Sequence, residues 1–135
     1  VKLDHQSLLV VDDCENSREL LTLTLQAEGA KVTAVAFASE ALEVLPSLKP
    51  NLLLCDIALP DTDGCSLLRQ IRAREGDVWK RIPAIAITAL DGEQVRKQVL
   101  AAGFELYLLK PVDLEELITT IFELTQPKVG DFAQA

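Results

Sequence analysis

LLVVDD, residues 8–13, is an apolar run that stops abruptly on two carboxylates. Three further stretches are built the same way: LLLCD (52–56), AIAIT (84–88) and LYLLKP (106–111). Each stops at a residue with phosphate or metal chemistry: Asp12 and Asp13, then Asp56, then Thr88, then Lys110. KVTAVAF (31–37) reads as a further strand without such an ending. Runs that are apolar on both faces, alternating with helical patterns, predict an α/β domain with a buried parallel sheet. Right-handed crossovers leave few topologies for five strands, and the doubly wound, flavodoxin-like order 2-1-3-4-5 is the favoured one. In that order the crevice between the first and third strands is the switch point where ligands bind. Asp12, Asp13 and Asp56 end those two strands, so topology alone brings three carboxylates together.

Between the strands, Asn16 is the expected cap of a helix through Leu20, Leu21 and Leu25 that stops at Gly29, a left-handed C-cap. Ser39 should cap a short helix with Leu42, Leu45 and Leu48 inward, ending near Pro50. The loop LPDTDG (59–64) leads into a helix with Leu67, Leu68 and Ile71 on one face. REGDVWKR (74–81), which contains Trp79, reads as a charged loop. Asp91 with Gln94, and Asp113 with Glu116, resemble capping boxes with Asp as the cap. Gly103 should end the penultimate helix. Leu114, Leu117, Ile118, Ile121 and Phe122 follow the helical i, i+3, i+4, i+7, i+8 rule. One domain is expected over 1–125, with QPKVGDFAQA (126–135) a tail or linker stub.

Composition narrows the classes. A chain of 135 residues forms one domain with a core large enough to need neither disulfides nor a structural metal. Hydrophobic residues make up 49%, but only four Phe, one Tyr and one Trp are present, so the core must be mainly aliphatic. A formal charge of −8 argues against direct nucleic-acid binding or adhesion to anionic membranes. No apolar run approaches the roughly 20 residues that span a bilayer. VKLDHQS at the start shows no signal-peptide pattern, which makes the cytoplasm the expected location. Cys14, Cys55 and Cys65 form no CxxC pair and read as small buried or half-buried hydrophobes; redox sensitivity is the alternative. His5, the single histidine, lies too near the terminus to serve as ligand or base.

Three carboxylates in one crevice repel each other, and a hard cation with oxygen ligands relieves the repulsion. Mg²⁺ suits a few carboxylates plus waters and a phosphate oxygen. Lys110 supplies a second positive charge, Thr88 a hydroxyl donor, and the turn after Asp56 backbone N–H groups. Phosphoryl transfer needs chiefly positioning and charge neutralisation, and an Asp carboxylate can be the acceptor. Taken singly, the residues have ordinary readings as a helix-dipole pair, a turn residue, a strand threonine and a solvated lysine. Their conjunction at four strand ends points to a site.

These motifs make the chain resemble the receiver domain of bacterial two-component response regulators over about residues 6–125. The resemblance rests on VVDD, on Asp56, Pro60, Asp63 and Gly64 of a D-x-x-x-P-x-x-D-G pattern, on Thr88–Ala89, on AAG (101–103) and on Lys110–Pro111. It implies that Asp56 is the phosphoacceptor, receiving its group from a histidine kinase or histidine phosphotransfer protein. It implies direct Mg²⁺ ligation by Asp13, Asp56 and the Ala58 backbone carbonyl, with Asp12 helping through water and Mn²⁺ able to substitute. Lys110 and Thr88 would bind the phosphoryl group, and Thr88 with Tyr107 would switch the surface of the last two helices and last strand toward a downstream protein partner. Lys110–Pro111 is cis in most such domains. The module would phosphorylate and dephosphorylate itself without acting as an enzyme on other substrates.

Leu59 and Thr62 stand where methionine is common in the family, and Thr62 makes the loop more polar. Ala58 and Leu90 stand where polar side chains often touch the hydrolytic water, so slow loss of phosphate is expected. The wording of RIPAIAIT, AAGFELYLLKPVDLEEL and SLLRQIRA resembles receivers of hybrid sensor kinases. Two other readings compete. A Mg²⁺-dependent aspartyl-phosphate hydrolase of the dehalogenase type would need a D-x-D motif, but Cys14 stands where its second Asp would be. A non-phosphorylated interaction module would not need the full acid, hydroxyl and lysine set.

Overall fold

The computed structural model describes residues 2–126. Its elements run β1 (Ser7–Val11), α1 (Glu15–Ala27), β2 (Lys31–Val35), α2 (Ala38–Leu48), β3 (Leu52–Asp56), α3 (Gly64–Arg72), α4 (Asp77–Arg81), β4 (Ala84–Thr88), α5 (Glu93–Ala102), β5 (Leu106–Leu109) and α6 (Leu114–Thr125). The five strands form one parallel sheet in the order β2-β1-β3-β4-β5. The tail expected at 126–135 lies, from 127 onward, outside the described residues.

Strand periodicity divides the core in two. Leu9, Val11, Leu53, Cys55, Ala84 and Ala86 point to the face covered by α2, α3 and α5. Leu8, Val10, Leu52, Leu54, Ile85 and Ile87 point to the face covered by α1 and α6. The expected aliphatic core is thus two layers, one on each side of a sheet whose central strands are buried almost throughout. β3 and β4 are buried at every position, and full burial is why their sequences read as unbroken apolar runs. The edge strands differ: in β5, Leu106 and Leu109 are exposed.

Several local expectations need correction. β2 stops at Val35 rather than at residue 37, because Phe37 already stands at the N-cap of α2. α1 starts at Glu15 with Cys14 as its N-cap, not Asn16; the Asp12 carboxylate accepts the Cys14 N–H from outside the helix. Ser39 lies inside α2 instead of capping it. The N–H groups at that helix start are taken by Glu40, which accepts from Ala36 and Phe37, and by Asp61, which accepts from Ala38 and Ser39. Gly92, not Asp91, occupies the N-cap of α5, and Asp91 accepts only from Gly92. REGDVWKR is no simple loop: residues 77–81 form α4, which buries Trp79 under the Arg74 guanidinium, 5.3 Å from the ring centroid. Phe122 shares the α6 pattern but is exposed, whereas Leu117 and Ile121 are fully buried.

Other local readings agree with the structure. Asp113 caps α6 by accepting from Glu116 N–H at 3.1 Å. Gly29 (φ 93°) follows the end of α1, and Gly103 (φ 112°) is the left-handed C-cap of α5. Lys110–Pro111 is cis. Among the described residues, no helix is long and apolar enough to cross a membrane.

Candidate functional site

β1 and β3 are neighbours in register, with Val11 opposite Cys55, so the residues that follow each strand meet at one end of the sheet. One carboxylate oxygen from each of Asp12, Asp13 and Asp56 lies within 4.8 Å of the others. Asp12 is fully buried, Asp56 nearly so, and Asp13 is exposed at the rim. A cluster of three carboxylate oxygens, one of them open to solvent, is the donor set that a hard divalent cation takes.

Lys110 reaches this cluster from the turn after β5. Its Nζ lies 2.8 Å from Asp56 Oδ2, 3.2 Å from Asp12 Oδ1 and 3.0 Å from Asp12 Oδ2. Burial works against the Lys110 charge, yet hydrogen bonds and charges from Asp56 and Asp12 outweigh it and hold the ammonium above its ordinary range. Burial likewise pushes the Asp56 carboxyl up, and the Asp12 charge adds to that. The Lys110 hydrogen bond, the Ala58 N–H and the Lys110 charge pull the other way without cancelling it. Asp56 therefore holds its negative charge at a cost, which a second cation would relieve.

The backbone around Asp56 is tightly folded. Ala58 N–H donates to Asp56 Oδ1 at 2.9 Å, the backbone N–H predicted for this turn. The loop then closes on itself: Ala58 bridges to Asp63, and Gly64 N–H donates to Ile57 O at 2.8 Å. A Cβ at residue 64 would lie 2.6 Å from the Asp56 carbonyl oxygen, so only glycine lets α3 begin this close to the acid. Asp63 caps α3, accepting from Ser66 N–H at 2.8 Å.

Thr88 ends β4 fully buried, and its Oγ1 accepts the Leu90 N–H at 3.1 Å. The Tyr107 hydroxyl, on half-buried β5, donates to the Leu90 carbonyl. Thr88 and Tyr107 are thus joined through one loop residue, while Lys110 N–H donates to Thr88 O at 2.9 Å. Ala58 and Leu90 line one cavity of about 420 Å³ beside Asp63 and Arg69.

Three contributors left no signal that sequence reading could use. Ser17 Oγ donates to Asp12 Oδ2 at 2.7 Å, and Arg18 donates from its NH1 to the Asp12 carbonyl at 2.8 Å. Asp61 fastens the loop after Asp56 to the start of α2. The cysteines divide: Cys55 and Cys65 are buried, as expected, whereas Cys14 is exposed. Burial pushes the Cys55 thiol well above its ordinary range, with the Asp56 charge adding to it, and burial raises Cys65 as well, which disfavours the reactive thiolate at both.

Residues 8–122 match the protein family described as response regulator receiver domain. The chain is 44% identical over 119 residues to an uncharacterized 14.6 kDa protein in the sodA1 3' region of Leptolyngbya boryana, covering 88% of this chain and 89% of that one. It is 36% identical over 123 residues to the virulence transcriptional regulatory protein PhoP of Salmonella typhimurium, covering 91% of this chain and 53% of that one. The chain therefore spans about half the length of that regulator. The receiver domain of sensor histidine kinase PA1611 from Pseudomonas aeruginosa superposes with a TM-score of 0.81 at 32% identity, over 89% of this chain and 97% of that one. That structure holds a magnesium ion coordinated in its active-site cleft.

Proposed function

We propose, on the premise that this chain belongs to the response regulator receiver domain family, that it takes a phosphoryl group from a phosphohistidine onto Asp56. An ionised Asp56 oxygen would attack phosphorus, the P–N bond of the donor would break, and the leaving imidazole would take a proton from solvent. The donor would be a histidine kinase or histidine phosphotransfer protein. The observation that carries this reading is the position of Lys110: one ammonium, 2.8 Å from Asp56, is shared with a second buried carboxylate. Such a cation can follow the oxygens of an incoming phosphoryl group.

The carboxylate cluster fits a divalent cation: Asp13, Asp56 and the Ala58 carbonyl would hold Mg²⁺, and Asp12 would act through water. Mn²⁺ could substitute. When bound, the ion supplies neutralisation of phosphoryl oxygens. Thr88 would move to donate its hydroxyl hydrogen to the phosphoryl group, and that movement would take its oxygen off the Leu90 N–H. That exchange would release the loop held by Tyr107 and alter the surface of α5, β5 and α6 for a partner or an attached domain. The module would work in the cytoplasm, turning over nothing except its own phosphate.

Intact mass after treatment with acetyl phosphate and Mg²⁺ tests the reading. A gain of one phosphate in the parent, absent in Asp56→Asn, is expected. No gain in the parent would favour a non-phosphorylated interaction module, and many turnovers of a phosphate ester would favour a hydrolase.

A further inference from the structure

We infer that Ser17 is a positioning residue for this site: its hydroxyl fixes the buried Asp12 carboxylate, so that Lys110 stays divided between Asp12 and Asp56. The inference rests on the reading of the Asp12, Asp13 and Asp56 cluster as a Mg²⁺ site.

Asp12 is fully buried, so its carboxylate is closed to bulk solvent. Such a group must be satisfied by fixed donors, and its orientation is whatever those donors impose. The donors are Cys14 N–H at 3.0 Å, Lys110 Nζ at 3.2 and 3.0 Å, and Ser17 Oγ at 2.7 Å. Ser17 makes the shortest of these contacts. The next residue, Arg18, holds the Asp12 main-chain carbonyl at 2.8 Å. Two consecutive residues of α1 therefore pin both the side chain and the backbone of Asp12.

Helix propensity offers no reason for a hydroxyl at residue 17, since serine competes with helix formation. The hydroxyl has a specific use instead. Lys110 is held by two carboxylates at nearly equal distances, so a small change at either one redistributes it. Without the Ser17 hydroxyl, Asp12 Oδ2 loses its shortest and most fixed donor. The nearest replacement is the Lys110 ammonium, already 3.0 Å away. Lys110 would then be drawn toward Asp12 and away from Asp56, and the Asp12 carboxylate plane would be free to turn. Mg²⁺ demands near-octahedral geometry, so a turned Asp12 carboxylate would misplace the water through which it acts and weaken binding. Loss of such supporting hydrogen bonds typically costs about 10- to 100-fold in metal affinity.

Calorimetric titration of Mg²⁺ into the unphosphorylated protein tests this with four variants. Ser17→Ala removes the donor, Ser17→Cys keeps the volume with a far weaker donor, and Ser17→Thr keeps the hydroxyl. Thr22→Ala deletes another α1 hydroxyl, one that donates only to Arg18 O at 2.8 Å. Ser17→Ala and Ser17→Cys should each bind Mg²⁺ about tenfold more weakly, while Ser17→Thr and Thr22→Ala stay close to the parent. If Ser17→Ala does not fold, Ser17→Cys carries the comparison. Mg²⁺ affinity in Ser17→Cys equal to the parent's, or an equal loss in Thr22→Ala, overturns the inference. A parent that takes up no Mg²⁺ overturns the metal site itself and this inference with it, so the two failures are told apart.

Discussion

Thr88 and Tyr107 hold the same residue: the Thr88 hydroxyl accepts the Leu90 N–H at 3.1 Å, and the Tyr107 hydroxyl donates to the Leu90 carbonyl. The loop between β4 and α5 is therefore clamped from a buried side and a half-exposed side at once. A phosphoryl group on Asp56 would draw the Thr88 hydroxyl toward itself as a donor, moving Oγ1 off the Leu90 N–H and loosening one half of the clamp. Hydrogen exchange over residues 89–92 should quicken on phosphorylation of the parent. In Thr88→Ala the same labelling should produce no further change, because the clamp is already open. Tyr107→Phe should quicken exchange at the loop before any phosphate is added, by the few-fold expected from a hydrogen bond worth about 1 kcal/mol. Phosphorylation that quickens exchange in Thr88→Ala as much as in the parent would break the proposed link.

Lys110 also lines a cavity of about 400 Å³ between α1 and the turn after β5, with Leu20, Leu21, Pro111, Val112 and Leu114 as its apolar wall. Leu20 is 54% exposed there. The groove opens onto the same ammonium that touches Asp56, so on the proposed function a helix carrying the phosphohistidine would seat here and present its phosphate. Leu20→Ser should slow transfer from a phosphohistidine protein by about tenfold, the order of one lost apolar anchor. Transfer from acetyl phosphate, which needs no docking, should be unchanged. Equal slowing with both donors would place the effect in the site rather than in docking.

The parts of the molecule legible in sequence are those set by contiguous burial. β3 and β4 have the bounds read from LLLCD and AIAIT, because full burial writes itself as an unbroken apolar run. Strand order followed from crossover handedness, and with it the meeting of Asp12, Asp13 and Asp56. Helix starts were read less well, since a cap depends on where backbone N–H groups point. The acid serving the start of α2 is Asp61, 22 residues beyond Ser39 and invisible to any local pattern. Ser17 acts through one side-chain hydrogen bond and the Leu90 backbone through two, and such isolated bonds leave no periodicity and no spacing to read.

Asp61 gives a pH dependence with a definite sign. The Ser39 N–H foremost holds its carboxyl below the usual aspartate range; burial opposes it, and the Ala38 N–H adds to the lowering. Its folded value lies below its unfolded one, so the unfolded chain binds more protons in the window between them. The stability it contributes is present above the unfolded value of about 3.9 and is lost as pH falls through the folded one. Asp61→Asn should melt below the parent at neutral pH, and the gap should close in acid below about pH 4. Melting curves of both proteins across that range check it; a gap that widens in acid would contradict the assignment.

Ala58 and Leu90 face one cavity beside the site, and neither side chain can hold a water for attack on an aspartyl phosphate. Hydrolysis then depends on a water positioned by backbone and solvent alone. The phosphorylated form of the isolated protein should accordingly be long-lived, its decay accelerated by a partner that inserts a polar side chain into this space. Ala58→Asn supplies such a group from within. The decay rate should rise by about an order of magnitude, below the usual range for a positioned general base because an amide orients water without taking its proton. The phosphate remaining on Asp56 after removal of acetyl phosphate, followed by intact mass over time, measures it. Rapid loss in the parent, unaltered by Ala58→Asn, would mean that the water is already held by some other group.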